Sequence, residues 1–155
     1  MDQINNLKIS IVIAVYNASE FIRECLDSLK KQTLQDFEVI CVDDGSKDDS
    51  VAIIQEYVAA DERFHLYTQT NQFAGVARNN GFSHAKGEYV LFLDADDFFE
   101  PDMLLHAYAQ IKKYDADICV FNSDLFDNQT LQYRDYDWAF RKEYFQDQPC
   151  FSPAD

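Results

Sequence analysis

The chain is short of basic residues, glycine, proline and paired cysteine motifs, and each shortage excludes something. Thirteen Lys and Arg stand against 28 Asp and Glu, for a net charge of −15, so nucleic acid and anionic lipid would both be repelled. An anionic small ligand would need a cation or backbone dipoles beside it. With four glycines and three prolines, and no repeat, low-complexity tract or Gly/Ser linker, the composition is that of an ordinary globular protein. Cys25, Cys41, Cys119 and Cys150 lie far apart and outside any CxxC pair. They read as buried free thiols in a reducing compartment. No stretch approaches the roughly 18 apolar residues that a bilayer span needs, and Met1 is not followed by the basic segment and apolar core of a signal peptide. A cytoplasmic chain without a transmembrane segment is expected. No GxGxxG follows the first apolar run, which counts against a dinucleotide dehydrogenase.

What is present is an alternation of short β-rich apolar runs with segments of helical period, the pattern of an α/β sheet with crossover helices. Ile9 to Tyr16 is apolar nearly throughout, as a parallel strand covered on both faces should be. Glu20 to Lys31 repeats Phe21, Ile22, Cys25, Leu26 and Leu29 at helical spacing, with Asn17 or Ser19 as N-cap. A second strand is expected over Phe37 to Val42. The next helix, from about Lys47 to Ala60, would be capped by Ser46 with Asp49 three residues on. A strand at Phe64 to Thr68, a helix around Ala74 to Ala85 and a fourth strand at Tyr89 to Leu93 follow. Pro101 would open another helix, with Met103, Leu104, Ala107, Tyr108 and Ile111 on its apolar face. A fifth strand is expected at Ile118 to Phe121. After Asn122 the text turns aromatic and acidic with no clean period, which sets residues 1–122 apart as a ligand-binding domain from 123–155, where no structure is assigned.

Three polar clusters fall immediately after strands: Tyr16-Asn17, Asp43-Asp44-Gly45-Ser46 and Asp94-Ala95-Asp96-Asp97. In an open parallel sheet those strand ends face one side, and ligands bind in the crevice outside them. Asp-Asp-Gly-Ser is also ordinary turn and helix-cap chemistry, with Gly45 free to take positive φ. Three carboxylates in the four residues from Asp94 to Asp97 repel one another, and a bound cation relieves that most directly; a solvated acidic turn is the plainer reading. Arg78 would ordinarily pair with a nearby carboxylate. His65, His84 and His106 show no ligating pattern.

Ser10 to Asn17 (SIVIAVYN), Gln32-Thr33, Asp43 to Ser50 (DDGSKDDS), Asn71 with Ala77-Arg78-Asn79 and Gly81, Gly87-Glu88-Tyr89, and Phe92 to Asp97 (FLDADD) together resemble the signature series of family 2 glycosyltransferases. Order and spacing agree from about Ile9 to about Leu105. The resemblance implies a GT-A fold: a Rossmann-like, mostly parallel sheet flanked by helices that binds a nucleotide sugar, followed by an acceptor half that is truncated or absent here.

By that resemblance Ala14, Val15, Tyr16 and Asn17 would line the nucleoside pocket. Asp43 would accept from the imide N–H of uracil, a task suited to a carboxylate, with Asp44 shaping the same pocket. Arg78 would face the base or phosphates, and Asp94-Ala95-Asp96 would be the DXD motif. Asp94 would approach the ribose or the metal, and Asp96 would hold Mg2+ or Mn2+ across the diphosphate. The expected activity is inverting transfer of a hexose or N-acetylhexosamine from a UDP-sugar to a cell-surface glycan or lipid-linked acceptor, in the cytoplasm or at the inner membrane face. A noncatalytic nucleotide-sugar-binding module that needs a partner chain or oligomer is the alternative.

The sequence departs from the family at three places. Ala14 replaces a usual Pro. Phe73 stands where Gly is common, with Gly75 two residues later, so another path is expected for the loop before Arg78. No late acid (Asp124, Asp127, Asp135, Asp137, Glu143) sits in a recognisable catalytic motif, so no general base is identified. Other α/β readings fit less well. A haloacid-dehalogenase phosphatase would want Thr or Val at Phe98 and its motif on the first strand, and a receiver domain would want acids at Tyr16-Asn17.

Overall fold

The computed structural model describes residues 7–121, 123–127 and 129–134. The chain divides into two compact units, Met1–Leu105 and His106–Asp155. In the first, β1 (Ile9–Val15), β2 (Phe37–Asp43), β3 (Phe64–Thr68) and β4 (Tyr89–Asp94) form one parallel sheet in the order β3-β2-β1-β4. The crossovers are α1 (Ile22–Lys30), α2 (Ser50–Ala60) and α3 (Phe73–His84); α4 (Met103–Tyr114) begins near the unit's end. This is the Rossmann-like sheet of the GT-A fold.

Sequence explains the strand order. β1 and β2 are nearly unbroken apolar runs and almost every residue in them is buried, as central strands covered on both faces require. β4 is only partly buried and lies at one side of the sheet. Against the other face α1 turns Ile22, Cys25, Leu26 and Leu29 inward, and α2 contributes Ile54 and Tyr57, whose ring lies 5.7 Å from that of Phe64. Each such side chain adds roughly 1.5–3 kcal/mol on burial. α3 buries only Ala77 and Gly81. Small residues let it lie close over Val12, Ile40 and Val42, and a Cβ at Gly81 would run into the Val12 side chain.

Several element ends differ from expectation. α1 and α2 start later than predicted, and their N-cap positions are Phe21 and Asp49, neither with a side-chain capping bond. Asn17, Ser19 and Ser46 are engaged across loops instead, as described below. Pro101 lies in a turn two residues before α4, with its carbonyl accepting from the Thr33 N–H at 2.9 Å. The expected strand at Ile118 to Phe121 does not form. A four-residue apolar run becomes a strand only where a ladder partner takes its backbone groups, and none of the described residues does; Ile118 and Val120 are exposed.

In the second unit β5 (Leu125–Asp127) and β6 (Gln132–Arg134) form an antiparallel hairpin. Asp127 shapes its turn by accepting from the Gln129 and Thr130 N–H groups at 2.9 and 3.0 Å, and the Phe126 and Tyr133 rings pair across it. Asp135, Asp137, Glu143 and Cys150 lie outside the described residues.

Candidate functional site

The chain runs outward from β1 to β2 to β3, then returns to the far side of β1 for β4, so the order reverses between β1 and β4. Crevices at such reversals, outside the C-terminal strand ends, are where these sheets bind ligands. Register puts the acids at neighbouring positions there, one residue out of step: Val15 pairs with Asp43, and Ala14 pairs with Asp94. The three clusters read from sequence therefore converge, with Tyr16 half exposed between the two acidic ones.

Asp43 and Asp44 are both buried. The Asp43 carboxylate accepts from the N–H groups of Gly45 (3.2 Å) and Ser46 (3.2 Å), which closes a turn that Gly45 completes at φ +79°. The turn reading of Asp-Asp-Gly-Ser is thus correct, and it does not use up the carboxylate, which has about four lone-pair sites. Asp44 ties two loops together. Its N–H donates to the Val15 carbonyl, and its Oδ1 accepts from Gln69 Nε2 (2.9 Å) and from the Gln72 N–H (2.8 Å). Gln69 and Gln72 carry no motif, and sequence reasoning missed them because their partners are set only by the fold.

The loops after β1 and β2 are stapled to each other. The Asn17 N–H donates to Ser46 Oγ and its Oδ1 accepts from the Lys47 N–H; the Ala18 and Ser19 N–H groups donate to Ser50 Oγ and Asp48 Oδ2. This is why the expected helix caps are absent: the same oxygens serve the neighbouring loop. Asn17 takes φ +50°, a conformation that asparagine tolerates. Burial opposes ionisation of Asp48, but bonds from the Ser50 hydroxyl and the N–H groups of Ser19 and Ser50 outweigh it and hold the carboxyl well below its ordinary value.

On the other side of β1, Asp94 and Asp96 are exposed and Ala95 is buried. Arg78, reaching from α3, donates to Asp94 Oδ1 at 2.5 Å, which is the carboxylate pairing expected of it. Both side chains are substantially exposed, and such a pair contributes at most about 1 kcal/mol. No hydrogen bond among the described residues takes up the Asp96 carboxylate. The Asp97 carboxyl is pushed up, first by burial and then by the charges of Asp96 and Asp94, which is the repulsion anticipated from sequence. Among the described residues no three His, Cys, Asp or Glu side chains converge into a preformed metal site. A hard cation of the Mg2+ type does not require that, since it is commonly held by one or two carboxylates together with substrate phosphates. The exposed carboxylates of Asp94 and Asp96, two residues apart in one turn, are oxygen donors of the kind that fits such an ion. Burial pushes the Cys25 thiol up and keeps it neutral; it donates to the Asp94 carbonyl at 3.8 Å. Cys41 is likewise buried and pushed up to about 12.

Phe73 takes φ +69°, and its ring is 82% exposed. Gly75 sits in ordinary helical backbone, and a Cβ there would meet nothing. The left-handed step therefore stays at position 73 and does not move to the glycine two residues later.

A parallel sheet reversing beside β1, with acids at both flanking strand ends, defines a Rossmann-like α/β unit. The family model described as Glycosyl transferase family 2 matches residues 10–153, and the chain belongs to that family. The glycosyltransferase GlyG of Streptococcus pneumoniae is 39% identical over 115 residues, covering 74% of this chain and 38% of that protein. The poly(ribitol-phosphate) beta-glucosyltransferase of Bacillus spizizenii is 44% identical over 116 residues, covering 72% of this chain and 18% of the relative. The chain thus spans less than half the length of these curated relatives. Among solved structures, S. aureus TarS 1–349 in complex with UDP superimposes with a TM-score of 0.67 at 30% identity, covering 78% of this chain and 40% of that 1–349 chain; TarS 1–349 has also been solved with UDP-GlcNAc. No helix among the described residues is long and apolar enough to cross a membrane.

Proposed function

We propose that this chain is the donor-binding half of a metal-dependent, inverting glycosyltransferase that takes a hexose or N-acetylhexosamine from a UDP-sugar for a cell-surface glycan or lipid-linked acceptor. The observation that carries this reading is that Asp43 and Asp94 end the two strands flanking β1, one register position apart, which gives one crevice an acid for the base at one flank and an acidic turn for a cation at the other. The UDP and UDP-GlcNAc complexes of TarS support the choice of nucleotide.

In this reading Asp43 accepts from the uracil imide, Tyr16 offers its half-exposed ring to the base, and Ala14, Val15, Asn17 and Asp44 shape the pocket. Asp96, with Asp94, holds Mg2+ or Mn2+, and Arg78 exchanges its bond to Asp94 for the nucleotide. When bound, the cation neutralises the diphosphate in a chain of −15 net charge and stabilises the charge that builds on the leaving nucleoside diphosphate. The residues that activate the acceptor hydroxyl belong to an acceptor half supplied by further chain or by a partner. The site faces the cytoplasm, with the inner membrane face as the place of work.

A thermal-shift panel of UDP, GDP, CDP and dTDP, each with and without Mn2+, tests this. Stabilisation largest with UDP plus Mn2+ is expected; an equal response to all four nucleotides, or none, would contradict it. Release of UDP from UDP-sugars in the presence of glycan acceptors separates a transferase from a binding module.

A further inference from the structure

Gln32 is among the least exposed polar residues of the chain, a rare place for an amide side chain. Two of its three side-chain bonds reach the segment that follows the acidic turn, and the third returns to α1. Nε2 donates to the Glu100 carbonyl at 2.8 Å and to the Ser28 carbonyl at 3.3 Å, while Oε1 accepts from the Leu104 N–H at 3.0 Å. Its neighbours bind the same segment. The Thr33 N–H donates to the Pro101 carbonyl at 2.9 Å, and Ser28 Oγ accepts from the Phe99 N–H at 3.1 Å. At the segment's start, the Cys25 thiol donates to the Asp94 carbonyl. From Asp94 to Leu104, the stretch that carries the acidic turn is therefore gripped at both ends by α1 and the turn after it.

A leucine would fill that buried volume without needing polar partners, so the amide is there for the segment it holds. We infer that Gln32 is a positioning residue: through residues 94–104 it holds the Asp94–Asp97 turn in the arrangement that receives a metal-bound diphosphate, and so sets affinity for a nucleoside diphosphate without touching it. This rests on the donor-site reading above. A loop ordered in advance does not have to be ordered on binding, and the difference appears as affinity. The effect is selective because the nucleoside end hangs from other elements. Asp43 and Asp44 are fixed by Gly45, Ser46, Gln69 and Gln72, none of which depends on Gln32.

The test is calorimetric titration of UMP without metal and of UDP with Mn2+ into the wild-type chain, Gln32→Met and Ser28→Ala. UMP reports on the nucleoside end, and UDP with Mn2+ adds the acidic turn. Gln32→Met is expected to weaken UDP with Mn2+ by about tenfold while UMP stays within about twofold, and Ser28→Ala to act in the same direction by about threefold. A merely structural role would weaken both ligands in proportion or neither, and either result in the folded variants would overturn the inference. If Gln32→Met does not fold, the UDP-to-UMP ratio of Ser28→Ala decides. A wild-type chain in which Mn2+ gives UDP no advantage over UMP would remove the donor reading itself, and this inference with it. A wild-type advantage that survives both substitutions removes only the inference.

Discussion

Both ends of the parallel sheet carry acids, and the fold treats them in opposite ways. Near the start of β2 the Glu38 carboxylate is buried; its Oε1 accepts from Ser10 Oγ at 2.7 Å and from the Lys86 N–H at 2.8 Å, and its Oε2 lies 3.7 Å from His65 Nε2. The Gly87 N–H donates to Ser10 Oγ, and a Cβ on Gly87 would stand 2.5 Å from the Ser10 nitrogen, so the loop before β4 is locked onto the sheet. At the opposite end Asp94, Asp96 and Asp97 crowd one another on an exposed turn, and no hydrogen bond among the described residues takes up Asp96. Glu38, like Asp43 and Asp44 at the other end, uses its carboxylate to hold the protein together; the turn after β4 keeps carboxylates together at a cost in repulsion. Of these three acids only Asp94 has an ion-pair partner among the described residues, Arg78, and the proposed function gives the repulsion among them a use.

Breaking the first end should cost stability alone. Glu38→Ala removes the buried acceptor of the Ser10 hydroxyl and one of the two acceptors of the Lys86 N–H and is expected to lower unfolding free energy by roughly 2 kcal/mol. Urea denaturation measures this, and UDP affinity of the folded fraction should be unchanged.

At the binding end a substitution can stabilise. Phe73→Gly removes a side chain from a left-handed backbone and should raise stability by about 1 kcal/mol. A loss in chemical denaturation would show that the exposed ring makes a contact worth more than the strain.

The smallest effect is electrostatic. Because the folded-state value of Asp97 is raised, the folded chain holds its proton more tightly than the unfolded chain does. The favourable contribution is present below the ordinary carboxylate range and is lost as pH rises through that range to the raised value. Melting temperature without metal should therefore decline over this interval, less steeply in Asp97→Asn, and the wild-type decline should shrink when Mn2+ and UDP are added.

Legibility in the sequence follows the same contrast. β3 has the predicted bounds and the other three strands of the sheet differ by a residue at one end, because buried parallel strands are continuous apolar runs. The positions of the acids were legible because they directly follow those runs, and the turn at Asp43 to Ser46 because aspartate followed by glycine is ordinary turn chemistry. Helix starts were not, since Asn17, Ser19 and Ser46 look like caps and serve neighbouring loops. The strand expected at Ile118 failed because an apolar run does not specify its ladder partner. Gln69 and Gln72 were illegible, and Gln32 stood in the family signature without a role: an amide's partners are decided by approach in space, and glutamine marks no chemistry by itself.

Metal-dependent nucleotide binding, as proposed, turns most directly on Asp96. Calorimetric titration of UDP into the wild-type chain and into Asp96→Asn, each with and without Mn2+, should show metal-dependent affinity in the wild type that falls by about a hundredfold in the variant, with melting temperature in the absence of ligand unchanged or raised. UDP binding that is equally strong in Asp96→Asn, or that ignores Mn2+ in the wild type, would contradict it.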